Sequence, residues 1–407
     1  MQILIISVGS RGDVAPFTGL GRRLLDAGHQ VAVAAHPVFA TLVEACGLEF
    51  RPLPGEPQEL IRSRARATSP DEVRAMMTAF MDVLADGVVE AVAGGADLLL
   101  TAFGPSALSR VAGEAFGVPV LGTYLAPAFA TREFPLPGAQ GVDDLGPEGN
   151  LAAGRAMLRG GEALLEGVAA RLRNRLGLPA ATPSAPLGRL GPVVHGFSPL
   201  VVPRPADWPS RVEVAGYWWP ARPQGWQPPT ELVDFLQAGP APVFIGFGSM
   251  APGEGERLSS LVAAAVRRAG VRAVVQAGWA GLAGTGDDVL AVGDLPHDWL
   301  FPRTAAVVHH AGAGTTGAGL RAGAPAVPVP VMADQPFWAA RLHRLGVAPQ
   351  PLPFADLTTE RLAAAITVTS AEAVRRRAAG IAQRLAAEDG AGAVLAHIAH
   401  IAERSGP

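Results

Sequence analysis

Residues 309–316 have the sequence HHAGAGTT, whose residue types and spacing suit the binding of an anion. The apolar residues 305–308 predict a buried parallel strand before this segment, and residues 317–322 predict a helix after it. Small residues between a strand and a helix let backbone N–H groups converge, and the helix N-terminus adds roughly half a positive charge. His310 can donate a ring N–H, and Thr315 can donate a hydroxyl. The segment therefore predicts a phosphate or diphosphate site, with a capped strand-to-helix turn as the simpler alternative.

A second polar pair, Asp334 and Gln335, follows the next predicted strand, residues 326–331. Ligands of open α/β sheets bind at the carboxyl ends of the strands, so both segments are expected at the same edge. A carboxylate beside an amide can bind the vicinal hydroxyls of a sugar. The two segments together predict a sugar phosphate as ligand. Neither a Walker loop nor the G-x-G-x-x-G of a dinucleotide fold is present in them.

These motifs, HHAGAGTT followed by DQPFWA, resemble the donor-site signature of family 1 glycosyltransferases with the GT-B fold. The bacterial natural-product branch and the sterol-glucosyltransferase-like branch are the most similar. Three further motifs match in the same order: GSRGDVAPF at 9–17, FIGFGSM at 244–250 and LPHDWLFP at 295–302. The resemblance implies an α/β architecture, in which two Rossmann-like domains place their parallel sheets face to face across a cleft.

The resemblance also assigns roles to individual residues. The catalytic base would be Asp13, and the sugar-binding pair would be Asp334 and Gln335. The diphosphate-binding positions would be Ser10, Ser249, His310, Gly312, Gly314 and Thr315. The nucleobase-binding positions would be Trp279, His297 and Asp298. The last two would act through backbone groups, and Trp279 would stack on the base, with a buried structural role as the alternative. Plant members have a ribose-binding Glu where this chain has Ala318 and a base-stacking Trp where it has Asp294, which leaves UDP and dTDP both open as donor nucleotides.

Asp13 has two interpretations. An inverting sugar transfer needs a base for the acceptor hydroxyl, but an Asp with an ordinary pKa of about 3.9 is a weak base toward an alcohol. The catalytic interpretation therefore requires desolvation in a closed cleft, or a late proton transfer. In the alternative, Asp13 caps a helix predicted to begin near Pro16. Both roles are compatible with each other.

Length and composition restrict the class of protein. The 407 residues exceed what one hydrophobic core usually holds, so two domains are expected. A formal net charge of −3 argues against nucleic acid as a partner. The single cysteine, Cys46, cannot form an intrachain disulfide and predicts a cytoplasmic location, and we find neither a signal peptide nor an apolar run of membrane-spanning length. Adjacent His309 and His310 point apart, so we expect no metal site, and no cofactor beyond the nucleotide sugar as co-substrate.

The order of predicted elements gives domain boundaries. Alternating strands and helices predict one Rossmann-like domain over residues 1–215 and a second over residues 230–388. The resemblance implies that the first binds the acceptor and the second binds the nucleotide sugar. The Pro- and Trp-rich residues 216–229 are typical of a linker, one that packs against its surroundings. Residues 389–407 predict a C-terminal helix, which could pack back on the N-terminal domain.

The acceptor site is expected in irregular segments of the first domain. Residues 53–71 and 125–149 predict long loops, which by family resemblance would contribute to an acceptor pocket, with plain surface loops as the alternative. Met76, Met77, Phe80, Met81 and Leu84 have helical spacing and fit either core packing or an apolar acceptor site.

We therefore expect a metal-independent, inverting glycosyltransferase. Its donor would be a UDP- or dTDP-linked hexose or deoxyhexose, and its acceptor a hydroxyl of a lipophilic small molecule such as a polyketide, macrolide or sterol-like aglycone. One alternative is a GT-B sugar-nucleotide epimerase, which needs no acceptor. The other is a non-catalytic GT-B-like partner that activates a true transferase.

Overall fold

The computed structural model of the chain describes residues 1–56, 69–138, 144–180, 191–248, 254–278, 281–284 and 286–404. These residues form two β-sheets, both entirely parallel and both accompanied by helices. The α/β architecture with two parallel sheets is thereby confirmed. No helix among the described residues is long and apolar enough to cross a membrane.

The N-terminal sheet has seven strands in the order β3-β2-β1-β4-β5-β6-β7. The strands are β1 (Gln2–Ile6), β2 (Gln30–Ala35), β3 (Glu49–Pro52), β4 (Leu98–Thr101), β5 (Val120–Tyr124), β6 (Val193–His195) and β7 (Val212–Val214). The helices between them are α1 (Arg11–Asp26), α2 (Ala40–Glu44), α3 (Pro70–Ala93), α4 (Ser106–Phe116) and α5 (Gly146–Arg175). Central strands such as β1 and β4 are continuous apolar runs because helices cover both faces of the sheet.

The C-terminal sheet has five strands in the order β10-β9-β8-β11-β12. These are β8 (Val243–Gly246), β9 (Ala273–Gln276), β10 (Val289–Val292), β11 (Ala306–His309) and β12 (Ala326–Pro328). The helices are α6 (Thr230–Gln237), α7 (Gly255–Ala269), α8 (His297–Leu300), α9 (Ala313–Ala322), α10 (Gln335–Arg344), α11 (Thr359–Thr369), α12 (Glu372–Leu385) and α13 (Gly390–Arg404). Since β8 and β11 are neighbours, the loops that follow them open at the same edge of the sheet.

Two helices begin earlier than the sequence predicts. The helix α1 starts at Arg11, so Asp13 lies inside its first turn and Pro16 lies within the helix. In the sequence, Pro16 resembles the start of a helix because proline lacks an N–H and favours the first helical turn. The helix α9 starts at Ala313, four residues before the predicted start, and ends as expected at Gly323, which has a left-handed φ of 67°.

The linker and the C-terminal helix both pack on the N-terminal domain. The indole Nε1 of Trp218 donates to the carbonyl of Gly390 over 3.1 Å. Val394 and Ile398 of α13 are buried in one cluster with Phe17 of α1. The aromatic residues of the linker are thus part of the packed structure, as expected from the sequence.

A hydrophobic cluster shared by both domains lies between the two sheets. Phe134 and Phe197 from the N-terminal domain pack against Phe337 and Trp338 of α10. The ring centroids are 5.4 Å apart for Phe134 and Phe337 and 5.7 Å apart for Phe197 and Trp338. The domains are therefore joined by a common core in addition to the linker.

Candidate active site

A cavity of about 2120 Å³ lies between the two domains and is lined by residues of both. The loop after β1 and helices α3, α4 and α5 form its N-terminal wall. The loops after β8, β9, β11 and β12 form its C-terminal wall. These are the carboxyl ends of parallel strands, where ligands bind in open α/β sheets.

Asp13 lines this cavity and is bound back to the start of its own helix. Its Oδ2 accepts hydrogen bonds from the backbone N of Ser10 over 2.6 Å and from the Ser10 hydroxyl over 3.0 Å. Ser10 is the N-cap of α1, and Asp13 is the third residue of that helix. The structure therefore gives Asp13 a capping contact, and the same contact fixes the orientation of its carboxylate at the cavity wall.

Gly9 allows this arrangement. Its φ is +138°, which side chains rarely adopt, and a Cβ placed there would lie 2.3 Å from Asp13 Oδ2. The carboxylate occupies the space that any larger residue would fill. A glycine directly before Ser10 is thus required by the position of Asp13 as well as by the backbone.

The surroundings make Asp13 a stronger base than an ordinary aspartate. Burial raises its pKa to about 6, against the lowering effect of the hydrogen bonds from Ser10. The negative charge of Asp334, on the opposite wall of the cavity, raises the pKa further. A group with a pKa near the working pH is suited to general base catalysis.

The start of helix α9 presents free backbone N–H groups to the cavity. Gly312 is its N-cap, and Ala313, Gly314 and Thr315 form its first turn and line the cavity. The first N–H groups of a helix have no partner within the helix and carry partial positive charge. This geometry suits an anion, and the binding of a diphosphate at this turn stays a prediction.

His310 stands beside this turn with a buried ring nitrogen. Its Nδ1 has no hydrogen-bond partner among the described residues. Two glycines make room for the ring, because a Cβ on Gly248 would lie 2.8 Å from Cε1 and a Cβ on Gly312 would lie 2.5 Å from Nε2. Burial lowers the pKa of His310 to about 4, so the ring is neutral at pH 7 and can donate one N–H to an anion.

The residue between the histidine and the turn has an unusual backbone. Ala311 has a φ of 63° and is fully buried, and its N–H donates to Nδ1 of His309 over 3.1 Å. His309 is therefore buried behind the loop, where it accepts the hydrogen bond from Ala311, and it does not line the cavity. The two adjacent histidines point to different surroundings, and no group of three or more described His, Cys, Asp or Glu side chains is placed to hold a metal ion.

Asp334 and Gln335 lie at the start of α10, and each uses one oxygen for the protein itself. Asp334 Oδ2 accepts from the indole Nε1 of Trp338 over 2.7 Å. Gln335 Oε1 accepts from the backbone N atoms of Val331 and Met332 over 2.8 and 3.1 Å. Both side chains line the cavity. The pair thus offers a carboxylate oxygen and an amide NH₂ to a ligand, which is one acceptor and one donor.

The positions expected to bind a nucleobase lie at the C-terminal wall. The imidazole of His297 is stacked on Phe301, with centroids 4.3 Å apart, and burial lowers its pKa to about 4. The carboxylate of Asp298 forms an ion pair with Arg222 of the linker over 2.6 Å. The side chains of both predicted residues are therefore engaged within the protein, and their contact with a nucleobase stays a prediction.

For three of the predicted binding positions, the structure gives no supporting contact. Ser249 and Trp279 lie outside the described residues. Ser10 lines the cavity, but its single hydroxyl proton points to Asp13. Its predicted contact with a diphosphate stays a prediction.

One ion pair that sequence reasoning missed joins the two walls. Arg11 of α1 lies 3.1 Å from Asp294, which precedes the predicted nucleobase segment. Arg11 stands within the GSRGD motif, but a pairing across domains leaves no pattern in the sequence. The second missed group is Arg110 on α4, which lines the cavity from the N-terminal domain.

The long loop over residues 125–138 is packed in place. Thr131 Oγ1 donates to Asp207 over 2.6 Å, and the backbone N of Arg132 donates to the same carboxylate over 2.9 Å. Pro127 and Pro137 line the cavity. The loop is thus both a structural element and part of the wall. Residues 57–68 and 139–143, which belong to the two predicted loops, lie outside the described residues.

The Met-rich face of α3 serves the core and the cavity together. Met81 and Leu84 are buried against the sheet, and Met77 and Phe80 are partly exposed. All four line the cavity. The two interpretations of this face are therefore compatible.

Two family models match the chain. One, described as the N-terminal domain of glycosyltransferase family 28, matches residues 3–135. The other, described as an erythromycin biosynthesis protein CIII-like C-terminal domain, matches residues 270–401. The first match lies in the N-terminal domain, and the second lies in the C-terminal domain.

Curated relatives cover nearly the whole chain. The O-mycaminosyltylonolide 6-deoxyallosyltransferase of Streptomyces fradiae is 37% identical, over 96% of this chain and 95% of the relative. A sterol 3-beta-glucosyltransferase of Arabidopsis thaliana is 34% identical, over 98% of this chain and 66% of the relative. The chain thus spans about two thirds of that plant enzyme, and only 24% of a sterol 3-beta-glucosyltransferase of Neurospora crassa.

Solved structures share the fold. The crystal structure of the kitacinnamycin glycosyltransferase has a TM-score of 0.71 at 21% identity, covering 100% of this chain and 99% of that one. The calicheamicin glycosyltransferase CalG4 has a TM-score of 0.70 at 19% identity, with coverage of 100% and 99%. The two-domain GT-B fold is thereby confirmed.

Proposed function

Because the chain belongs to the GT-B glycosyltransferases that include macrolide glycosyltransferases and sterol glucosyltransferases, we propose that it glycosylates a lipophilic alcohol. The donor is a hexose or deoxyhexose linked to UDP or dTDP. The acceptor hydroxyl belongs to a polyketide, macrolide or sterol-like aglycone. The names of the relatives, a 6-deoxyallosyltransferase of a macrolide and a sterol glucosyltransferase, support these classes. A cytoplasmic location, inferred from the single Cys46, stays a prediction.

The observation that carries the proposal is the placement of a base and an anion site on opposite walls of one cavity. Asp13 lies on the N-terminal wall, whereas His310 and the first turn of α9 lie on the C-terminal wall. A sugar held between them has its leaving diphosphate on one side and the acceptor hydroxyl on the other. This arrangement supports a single displacement, which inverts the anomeric carbon.

The proposed reaction is a single displacement at the anomeric carbon of the donor sugar. The acceptor oxygen attacks the anomeric carbon, and its proton passes to the carboxylate of Asp13. The bond between that carbon and the diphosphate oxygen breaks, and the nucleoside diphosphate leaves with the electron pair. The N–H groups of α9 and the ring of His310 stabilise the developing charge, as preorganised donors do in other enzymes. Asp334 and Gln335 hold the sugar hydroxyls.

The apolar part of the cavity argues against the two alternatives. Met77, Phe80, Phe103 and Met157 line the half of the cavity next to Asp13. An epimerase that acts on a polar sugar nucleotide alone has no use for such a surface. A non-catalytic partner has no use for a carboxylate whose pKa is raised toward neutrality at the cavity wall.

Incubation with UDP- and dTDP-sugars, with and without a sterol or macrolide aglycone, tests the proposal. We expect an acceptor-dependent glycoside, detected by mass spectrometry, with its anomeric configuration opposite to that of the donor by NMR. Conversion of the donor at the same rate without acceptor identifies an epimerase or hydrolase instead. Failure of every sugar nucleotide to raise the melting temperature supports the non-catalytic partner.

A further inference from the structure

Arg110 is a charged residue on a wall of the cavity that also carries several apolar side chains. It lies on α4 and lines the cavity together with Met77, Phe80, Phe103 and Met157. Burial holds the pKa of its guanidinium below the usual value. Because a charge is costly to keep in such surroundings, it must be balanced by polar partners.

The topology places Arg110 at the same edge of the N-terminal sheet as Asp13. The helix α4 follows β4, which pairs with β1, and Asp13 follows β1. Both residues therefore lie beyond the carboxyl ends of neighbouring strands. An acceptor that presents its hydroxyl to Asp13 and fills the apolar half of the cavity extends along α4.

Among the described residues, the partners of Arg110 leave it able to bind another oxygen. The Tyr124 hydroxyl contacts both Arg110 and Ser106, and Glu162 on α5 acts on Arg110 through its charge. A guanidinium has five N–H donors in a fixed fork, which one phenol oxygen does not fill. Glu162 also balances the positive charge. A neutral oxygen thus suits this position better than a carboxylate.

A second arginine on the same wall shows what a purely structural role looks like. Arg173 of α5 donates from Nε to the carbonyl of Pro179 over 2.9 Å. Its two terminal nitrogens bind the carboxylate of Glu114 on α4 over 2.5 and 2.8 Å. This bidentate pair connects α4 to α5, so Arg110 is not needed for that task.

We propose that Arg110 is an acceptor-recognition residue, which hydrogen-bonds a neutral carbonyl or hydroxyl oxygen of the lipophilic acceptor, remote from the hydroxyl that is glycosylated. The inference rests on the proposed function. It adds that acceptors carry a second oxygen, and that this oxygen orients the molecule along α4. Preferred acceptors are then oxygenated at both ends.

A matched pair of steroids tests this role. One probe is a 3β-hydroxysteroid with a ketone at C17, and the other is the same steroid without the ketone. Affinity is measured by quenching of tryptophan fluorescence, and glycoside formation is measured separately. The variants are Arg110→Met, the charge-neutral pair Arg110→Met/Glu162→Gln, and Arg173→Gln as the control, each with its melting temperature.

We expect the wild-type protein and Arg173→Gln to bind the ketone about tenfold or more tightly than its partner, as fits a hydrogen bond to a charged group. Both Arg110 variants should bind the two steroids equally. The double variant removes the charge of Glu162 together with that of Arg110, which guards against misfolding caused by a change in the local charge balance. If the wild-type protein binds the two steroids with equal affinity, or if both Arg110 variants keep the wild-type ratio of the two affinities, the inference is overturned. A preserved ratio with no glycoside overturns the sterol-like part of the proposed function alone, and binding of neither steroid overturns that part and the inference together.

Discussion

Asp13 and Asp334 belong to different domains, yet the charge of Asp334 acts on the carboxyl group of Asp13 across the cavity. Burial and this like charge together hold the pKa of Asp13 near 6, against its ordinary value near 4. The base of the proposed reaction is thus strengthened by the residue proposed to hold the sugar. Its properties depend on the two domains facing one another.

The first prediction concerns Asp13→Asn, which keeps the size of the side chain and an oxygen to accept from Ser10. Turnover should fall by about 10²–10⁴-fold, the usual contribution of a general base. Donor affinity should hardly change, because the anion site lies on the other wall. Steady-state kinetics and donor titration give both values. Full turnover in the Asn variant would mean that Asp13 is a helix cap and not the base.

The second prediction concerns the pH dependence of stability. The pKa of Asp13 is higher in the folded chain than in the unfolded chain, so its contribution to stability is present below pH 4 and is lost as pH rises through about 6. Because asparagine does not ionise, the Asp13→Asn variant does not lose this stability as the pH rises. At pH 8 the variant should therefore be more stable than the wild-type protein, by about 1–3 kcal/mol at 1.4 kcal/mol per pKa unit.

The comparison requires denaturant unfolding of both proteins at pH 4 and pH 8. At pH 4 the two free energies of unfolding should nearly coincide. If the free energies of unfolding of the two proteins differ by the same amount at pH 4 and at pH 8, the pKa of Asp13 is not raised in the folded chain.

The third prediction uses two glycines with positive φ. Gly9→Ala places a Cβ 2.3 Å from Asp13 Oδ2, whereas Gly28→Ala meets nothing within 4 Å. Both substitutions should lower the melting temperature, since both strain the backbone. Only Gly9→Ala should also reduce turnover, by about tenfold or more, because a misplaced catalytic group costs that much. Equal specific activity of the two folded variants would show that the orientation of Asp13 does not matter.

The fourth prediction concerns His310→Ala. Loss of a hydrogen bond to the diphosphate should weaken donor binding by about 1.5–3 kcal/mol, which is roughly 10- to 150-fold. Calorimetric titration with UDP and dTDP measures the effect. The exposed His400 provides the control, because His400→Ala leaves the cavity untouched. Unchanged affinity in the His310 variant rules out its contact with the diphosphate.

The fifth prediction separates the sugar site from the nucleotide site. Asp334→Asn keeps an oxygen for Trp338, and Gln335→Glu keeps an oxygen for the backbone of Val331 and Met332. The Asp334 variant should change the ratio of kcat/KM between two donor sugars by about tenfold, the value of one lost hydrogen bond to a charged group, and the Gln335 variant by a smaller factor because its amide is neutral. Inhibition by the free nucleoside diphosphate should stay the same. The opposite pattern, with weaker inhibition and an unchanged ratio, contradicts the assignment of this pair.

Much of the fold was predictable because its signals are local. Continuous apolar runs such as β1 and β11 identified strands of parallel sheets, and Gly323 identified the end of α9. The starts of α1 and α9 were placed too late. Pro16 and the glycines around residue 312 suit loops, and the packing that keeps those segments helical comes from distant parts of the chain.

The candidate site was predictable to the extent that its residues stand in motifs. His310, Asp334 and Gln335 were expected near one another, and the structure brings them to one cavity. The pairing of Arg11 with Asp294 and the placement of Arg110 among apolar side chains depend on contacts between distant segments. Such contacts follow from the tertiary structure and have no signature at short range.

The hydrophobic cluster that both domains share has a consequence for protein engineering. Exchanging one domain for that of a related enzyme is an attractive way to combine a new donor with a new acceptor. A cut in the linker divides the contacts of Phe134 with Phe337 and of Phe197 with Trp338 between two parents. Chimeras should therefore carry both partners of each aromatic pair from the same parent, with the segment around α10 treated as part of the N-terminal module.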